Sequence, residues 1–199
     1  MQCILREKLL RCCSRLSEVS SIYLTESQRF VNEYLKWLVD TEQELSGLKS
    51  PLCILLQAEK STLLAVSDGF CPDNVKNVNK SVRKVQKAVA AQSLSRISSV
   101  LYDKIESIDA EMNQHREKLC HAVAMVLSKH GEALRHVAFD QRGADFVWEH
   151  IRQMPETYQM YNYFRSKLSS ADRTYLLTDI LQNVTGNHTH TDRKSLRAG

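Results

Sequence analysis

Apolar residues recur at steps of three and four along most of this chain, the period of an α-helix with one buried face. Leu5, Leu9, Cys12, Leu16, Val19 and Tyr23 trace the first stripe and predict a helix over residues 2–23, narrow-faced as in a bundle or coiled coil. Thr25 and Gln28 have the spacing of a capping box, which predicts a second helix through about residue 45. Its Phe30, Val31, Tyr34, Leu35, Trp37 and Leu38 cover a wide face, as expected of a helix buried on two sides. Gly47 is a natural stop, and Ser50-Pro51 a natural N-cap and first turn for a third helix carrying Leu52, Leu55, Leu56, Leu63 and Val66. The run Asp68-Gly69-Phe70-Cys71-Pro72-Asp73 then reads as the clearest turn in the chain, with Asp73 or Asn74 able to cap the next helix.

One stripe runs on through positions 75, 78, 82, 85, 89, 93, 97, 101, 105, 108, 112, 115, 119, 123, 126, 130, 134 and 137, and only Ser93, His115 and His130 among them are polar. No Gly or Pro interrupts it before Gly131. A continuous helix of about 60 residues would be roughly 90 Å long, so the sequence predicts either an elongated molecule or a helix that folds back on itself. The Ser- and Ala-rich residues 88–99 and the polar residues 107–114 are where a bend would fall. Because the phase survives both, one long helix, with a kink allowed, is expected over a hairpin.

After Gly143 the composition turns aromatic, with Phe146, Trp148, Tyr158, Tyr161, Tyr163, Phe164 and Tyr175. Residues 145–154, 156–168 and 170–184 read as three short helices, the second set off by Pro155 and the third capped by Ser169 or Ser170. The polar residues beyond 185 show no apolar period and are expected to be disordered. The expected fold is all-α: an elongated bundle with one very long central helix over 1–142, aromatic-rich short helices packed on the bundle end over 143–185, and a tail over 186–199.

Composition changes this picture little. Six Gly and three Pro among 199 residues leave few turns for a β or α/β architecture. The net charge of +4 is too small to imply nucleic acid or membrane by itself. No window approaches the roughly 20 apolar residues of a membrane span, and the first sixteen residues alternate charged with apolar, so a cytoplasmic protein is expected. Cys3, Cys12, Cys13, Cys53, Cys71 and Cys120 form no C-x-x-C pair and are read as free thiols. Cys13 borders Arg11 and Arg15, a setting compatible with acylation, although peripheral membrane contact is not the expectation.

Local charge is more informative. Lys76, Lys80, Arg83 and Lys87 share one helical face, with Lys84 beside them and the valines opposite, and no acidic residue occurs between Asn74 and Tyr102. This ridge is a candidate anion-binding surface, although a solvated helix face is the commoner explanation of such a pattern. The carboxylates Asp103, Glu106, Asp109 and Glu111 come next, a charge order that suits antiparallel pairing. His115 and His130 sit on the apolar stripe as core or interface groups, and the pair Glu132 and His136 makes no metal site alone. No phosphate loop, zinc-protease or nucleophile-elbow motif occurs, and neither a cofactor nor a small-molecule substrate is indicated. Trp148, Tyr158, Tyr161 and Phe164 are candidate partner-binding rings, since aromatic anchors dominate interface energies, the alternative being that they pack against Leu134, Val137 and the second helix to close the core. The function expected is a non-enzymatic helical interaction protein, an adaptor or assembly subunit with a protein partner or self-association. The alternative is a helical nucleic-acid-binding protein using residues 76–87, and a third reading is a bundle enzyme or metalloprotein with dispersed site residues.

Overall fold

The computed structural model describes the backbone of residues 1–25, 27–70, 81–134 and 140–195, and their side chains apart from 27–28, 132–134 and 184–195. Seven helices account for nearly all of these residues: α1 Gln2–Thr25, α2 Ser27–Ser46, α3 Leu52–Ser67, α4 Val82–Leu134, α5 Gln141–Gln153, α6 Tyr158–Lys167 and α7 Ser170–Ser195. No strand occurs among the described residues. The protein is all-α, with one very long helix and short helices after it.

The boundaries reflect local chemistry. Pro51 is already helical (φ −62°, ψ −16°), and the Ser50 hydroxyl accepts from the Leu52 N–H at 3.4 Å, so the Ser-Pro pair starts α3 as its sequence predicts. At its far end Gly69 takes φ +94°, the Phe70 N–H reaches back to the Ala65 carbonyl, and the Gly69 N–H bonds Val66. That pair of bonds is the Schellman closure, which needs a residue free to be left-handed. Thr25 does not open α2. It belongs to the last turn of α1, and its hydroxyl donates to the Ile22 carbonyl at 3.4 Å, a local bond that competes with a capping role.

Asp140 caps α5, accepting from the Arg142 and Gly143 N–H groups at 2.9 and 3.2 Å, so this helix begins before Gly143 and carries that glycine in its first turn. Ser169 caps α7: its hydroxyl accepts from the Asp172 N–H and donates to the Asp172 carboxylate at 2.6 Å. The helix continues to Ser195, past the end expected near Val184, since each further residue adds a hydrogen bond once a helix is nucleated. Residues 196–199 lie outside the described residues.

In α4 the predicted stripe is buried at every one of its positions from Val85 to Val126, Ser93 and His115 included. Both stretches where the sequence would allow a bend are helical. Helical geometry breaks instead at His130 (φ −126°, ψ 23°), where the following Gly131 has the low helix propensity of its type. Val82 is about half exposed, and Val75, Val78 and Val137 lie outside the described residues.

The chain packs as two units, Ile4–Ser107 and Met1–Cys3 with Ile108–Gly199. In the first, Phe30, Tyr34 and Trp37 of α2 form a stacked series (6.1 and 5.9 Å), and the Trp37 Nε1 donates to the Cys12 carbonyl at 3.1 Å. Tyr34 and Ser93 hydroxyls bond at 2.8 Å, so the polar member of the stripe has a partner. Buried Glu59 of α3 pairs with Arg96 of α4. Along α1, Lys8 donates to the Glu44 carbonyl at 2.7 Å, and Arg15 pairs with Asp40 at 2.6 Å.

In the second unit, Ile108, Met112, Leu119, Val123 and Val126 of α4 are buried, as are Val147, Trp148 and Ile151 of α5, Phe164 of α6 and Leu177 and Ile180 of α7. Arg116 pairs with Asp179 at 2.6 Å. Buried Asp172 accepts from the Met1 amine at 2.6 Å and from the Cys3 N–H at 2.8 Å. Burial alone would raise its pKa, but the bonds from the amine, Ser169 and Cys3 outweigh that and hold it well below the usual carboxylate range.

A carboxyl with a depressed folded pKa stabilises the fold above its unfolded pKa and loses that contribution as pH falls. Asp172→Ala should therefore melt lower than the native chain at neutral pH, with the gap closing in acid; a gap constant across a pH series of thermal melts would show that the charge is irrelevant. His115 is buried with its Nδ1 unpartnered among the described residues and its Nε2 3.9 Å from Glu111, too long for a hydrogen bond. His115→Leu should be neutral or stabilising by about 1 kcal/mol in urea unfolding, because replacing an unsatisfied polar group by an apolar one removes a desolvation cost; a loss above about 2 kcal/mol would contradict this.

Candidate functional site

The aromatic segment resolves into a graded stack within the second unit. Tyr158 lies against Tyr161 at 6.2 Å with rings 18° from parallel, and Tyr161 against Trp148 at 4.7 Å. The Arg173 guanidinium covers the Trp148 ring at 4.5 Å. Helix geometry explains the order, because Tyr158 and Tyr161 sit three residues apart on α6 and so share a face. Trp148 and Phe164 are buried, whereas Tyr158 is 52 % exposed and Tyr161 half-buried. Of the four rings expected to anchor a partner, two therefore belong to the core, and one of these, Trp148, backs Tyr161. Thr157, buried before α6, donates its hydroxyl to the Ile151 carbonyl at 2.7 Å, which ties the start of α6 to the end of α5.

The chain matches none of the protein-family models, curated proteins or solved structures with which it was compared. Its sites stand on their own chemistry.

Of the basic ridge, Lys76 and Lys80 lie outside the described residues. Arg83 and Lys84 are exposed in the first turn of α4, and neither pairs with a carboxylate among the described residues. Lys87 is half-buried with its Nζ 4.4 Å from the centre of the Tyr23 ring, a cation–π contact that draws it away from a purely solvated ridge.

Among the described residues no group of three or more His, Cys, Asp or Glu is placed to hold a metal ion. His130 is exposed and meets His150 edge-on at 5.0 Å, and the side chains of Glu132 and His136 lie outside the described residues. Cys3, Cys12, Cys13, Cys53 and Cys120 are in no disulfide, and Cys71 lies outside the described residues. Cys13, whose basic neighbours are compatible with acylation, is buried. Burial and then the Glu44 carboxylate push the Cys12 thiol up to about 11, which leaves it protonated and unreactive at neutral pH.

Sequence reasoning missed Arg173, whose role depends on a ring 25 positions away, and it gave no weight to Leu24 and Phe70, both exposed. The signal available for the last two was one of position: Leu24 falls outside the period of α1, and Phe70 lies beyond the glycine that ends α3.

The graded stack makes a separable prediction. Trp148→Ala and Phe164→Ala should each cost roughly 3–5 kcal/mol of unfolding free energy, as for buried rings elsewhere, and Tyr158→Ala should stay within about 0.5 kcal/mol of the native chain. Equal losses at all three positions in chemical denaturation would show that Tyr158 is a core ring too.

Proposed function

We propose that this chain is a non-enzymatic helical interaction protein, an adaptor or assembly subunit, and that it engages a protein partner through the Tyr158–Tyr161 surface. The observation that carries this reading is an exposed tyrosine whose ring is already held by a stack ending on buried Trp148. A pre-positioned aromatic ring loses little freedom when a partner covers it, so most of the apolar burial contributes to affinity. Arg173, stacked on Trp148 and unpaired with any carboxylate among the described residues, adds a cation near the same surface. The partner surface favoured is an apolar side chain flanked by carboxylates.

Affinity capture with the native chain and with a Tyr158→Ala, Tyr161→Ala double variant tests this. A protein retained by the native chain, purified and bound again directly, should bind the variant at least about tenfold more weakly while the variant's unfolding midpoint stays close to native. Undiminished binding to the variant would overturn the surface assignment. Light scattering of the native chain alone separates a second copy from a different partner.

A further inference from the structure

In the first unit the antiparallel succession of helices brings the end of α1, the start of α2, the end of α3 and the start of α4 to one end. Contacts across that end agree: Tyr23 meets Phe30 edge-on at 5.1 Å, Lys87 covers Tyr23, and the Gln86 side chain donates to the Ser67 hydroxyl. This same end carries several of the largest exposed apolar side chains of the unit. Leu24 is 85 % exposed, Phe70 58 %, and Leu64 and Val82 about half. Phe70 is presented by a fixed turn, since the Schellman closure at Gly69 locks its backbone onto the Ala65 carbonyl. The residue at that position commonly packs back on its helix, yet here its ring faces water.

Charge surrounds these side chains. Arg83 and Lys84 project from the first turn of α4 without a carboxylate partner among the described residues, and Lys87 stands one turn further in. Exposed Asp68, at the end of α3, opposes these cations, and Glu33 of α2 lies 3.8 Å from Arg29. Cations alone would suit the phosphates of a nucleic acid, but Leu24, Phe70 and Val82 would then remain in water, unrewarded. Apolar side chains that enter the headgroup boundary, beside cations that meet anionic lipid, describe a bilayer surface. No helix among the described residues is long and apolar enough to cross a membrane.

We propose that this end of the first unit docks on an anionic lipid bilayer, with Leu24, Phe70 and Val82 inserted at the headgroup boundary and Arg83 and Lys84 on the lipid charges. The proposal uses residues distinct from the tyrosine surface, and it departs from the sequence expectation because Leu24 and Phe70 acquire meaning only when the fold brings them together.

The test uses the full chain and vesicles of phosphatidylcholine with or without phosphatidylserine, read by co-sedimentation. Binding is expected to the phosphatidylserine vesicles and to weaken with salt, since each basic side chain near such a surface adds electrostatic affinity. Arg83→Glu with Lys84→Glu should weaken it at least about tenfold. Leu24→Ser with Phe70→Ser should weaken it comparably while leaving the melting temperature unchanged, because both side chains are exposed. A Phe70→Trp variant gives a direct reading, with emission shifting to the blue on vesicles if the ring inserts. No binding by the native chain, or binding indifferent to the apolar substitutions, overturns the proposal. Tighter binding to an oligonucleotide than to vesicles, lost only in the charge variant, overturns it in favour of nucleic acid.

Discussion

Everything in this fold depends on one face of α4 staying out of water. The stripe positions from Val85 to Ile105 are buried within the first unit, and those from Ile108 to Val126 within the second. Short helices gain little from hydrogen bonding alone and are stabilised mainly by the apolar stripe they cover. Thus Phe30, Tyr34, Leu56 and Leu63 of α2 and α3, and Val147, Phe164 and Leu177 of α5 to α7, are all buried, and Tyr34 meets α4 directly through Ser93.

Polar groups buried on that face or on the helices beside it obey the same constraint with different outcomes. Ser93 is tolerated because the Tyr34 hydroxyl reaches it, and the same burial pushes the Tyr34 phenol well above its ordinary value. Glu59 is tolerated because Arg96 spans from the next helix, keeping its own end in solvent. His115 has no such arrangement at Nδ1. Its nearest ring is Tyr163 at 5.9 Å, and Tyr163 is itself engaged by Lys118, whose Nζ lies 3.1 Å from the phenol oxygen.

Periodicity makes most of the fold legible, since spacing alone marks a buried face. Ser50-Pro51 and Gly69 are legible because their effects are local to a few backbone bonds. Thr25 misleads because the spacing of a capping box does not reveal that its hydroxyl bonds backwards to Ile22. The helix break at His130 is hidden because phase is preserved up to it. The candidate surfaces are least legible: the depth of Trp148 and Phe164 against the exposure of Tyr158 is decided by which helix lies over each ring, and that is information no single helix contains.

The bond between the Cys3 N–H and Asp172 spans 169 positions of sequence. A growing chain can form the hairpins of α1 to α3 from neighbours already made, but the first turn of α1 has no carboxylate there until all of α4, α5 and α6 and the start of α7 have been made. Closing so large a loop carries an entropy cost that rises only with the logarithm of its length. The contact that holds the beginning of the first helix is consequently among the last that synthesis allows, and until then the turn's amide groups are left to water.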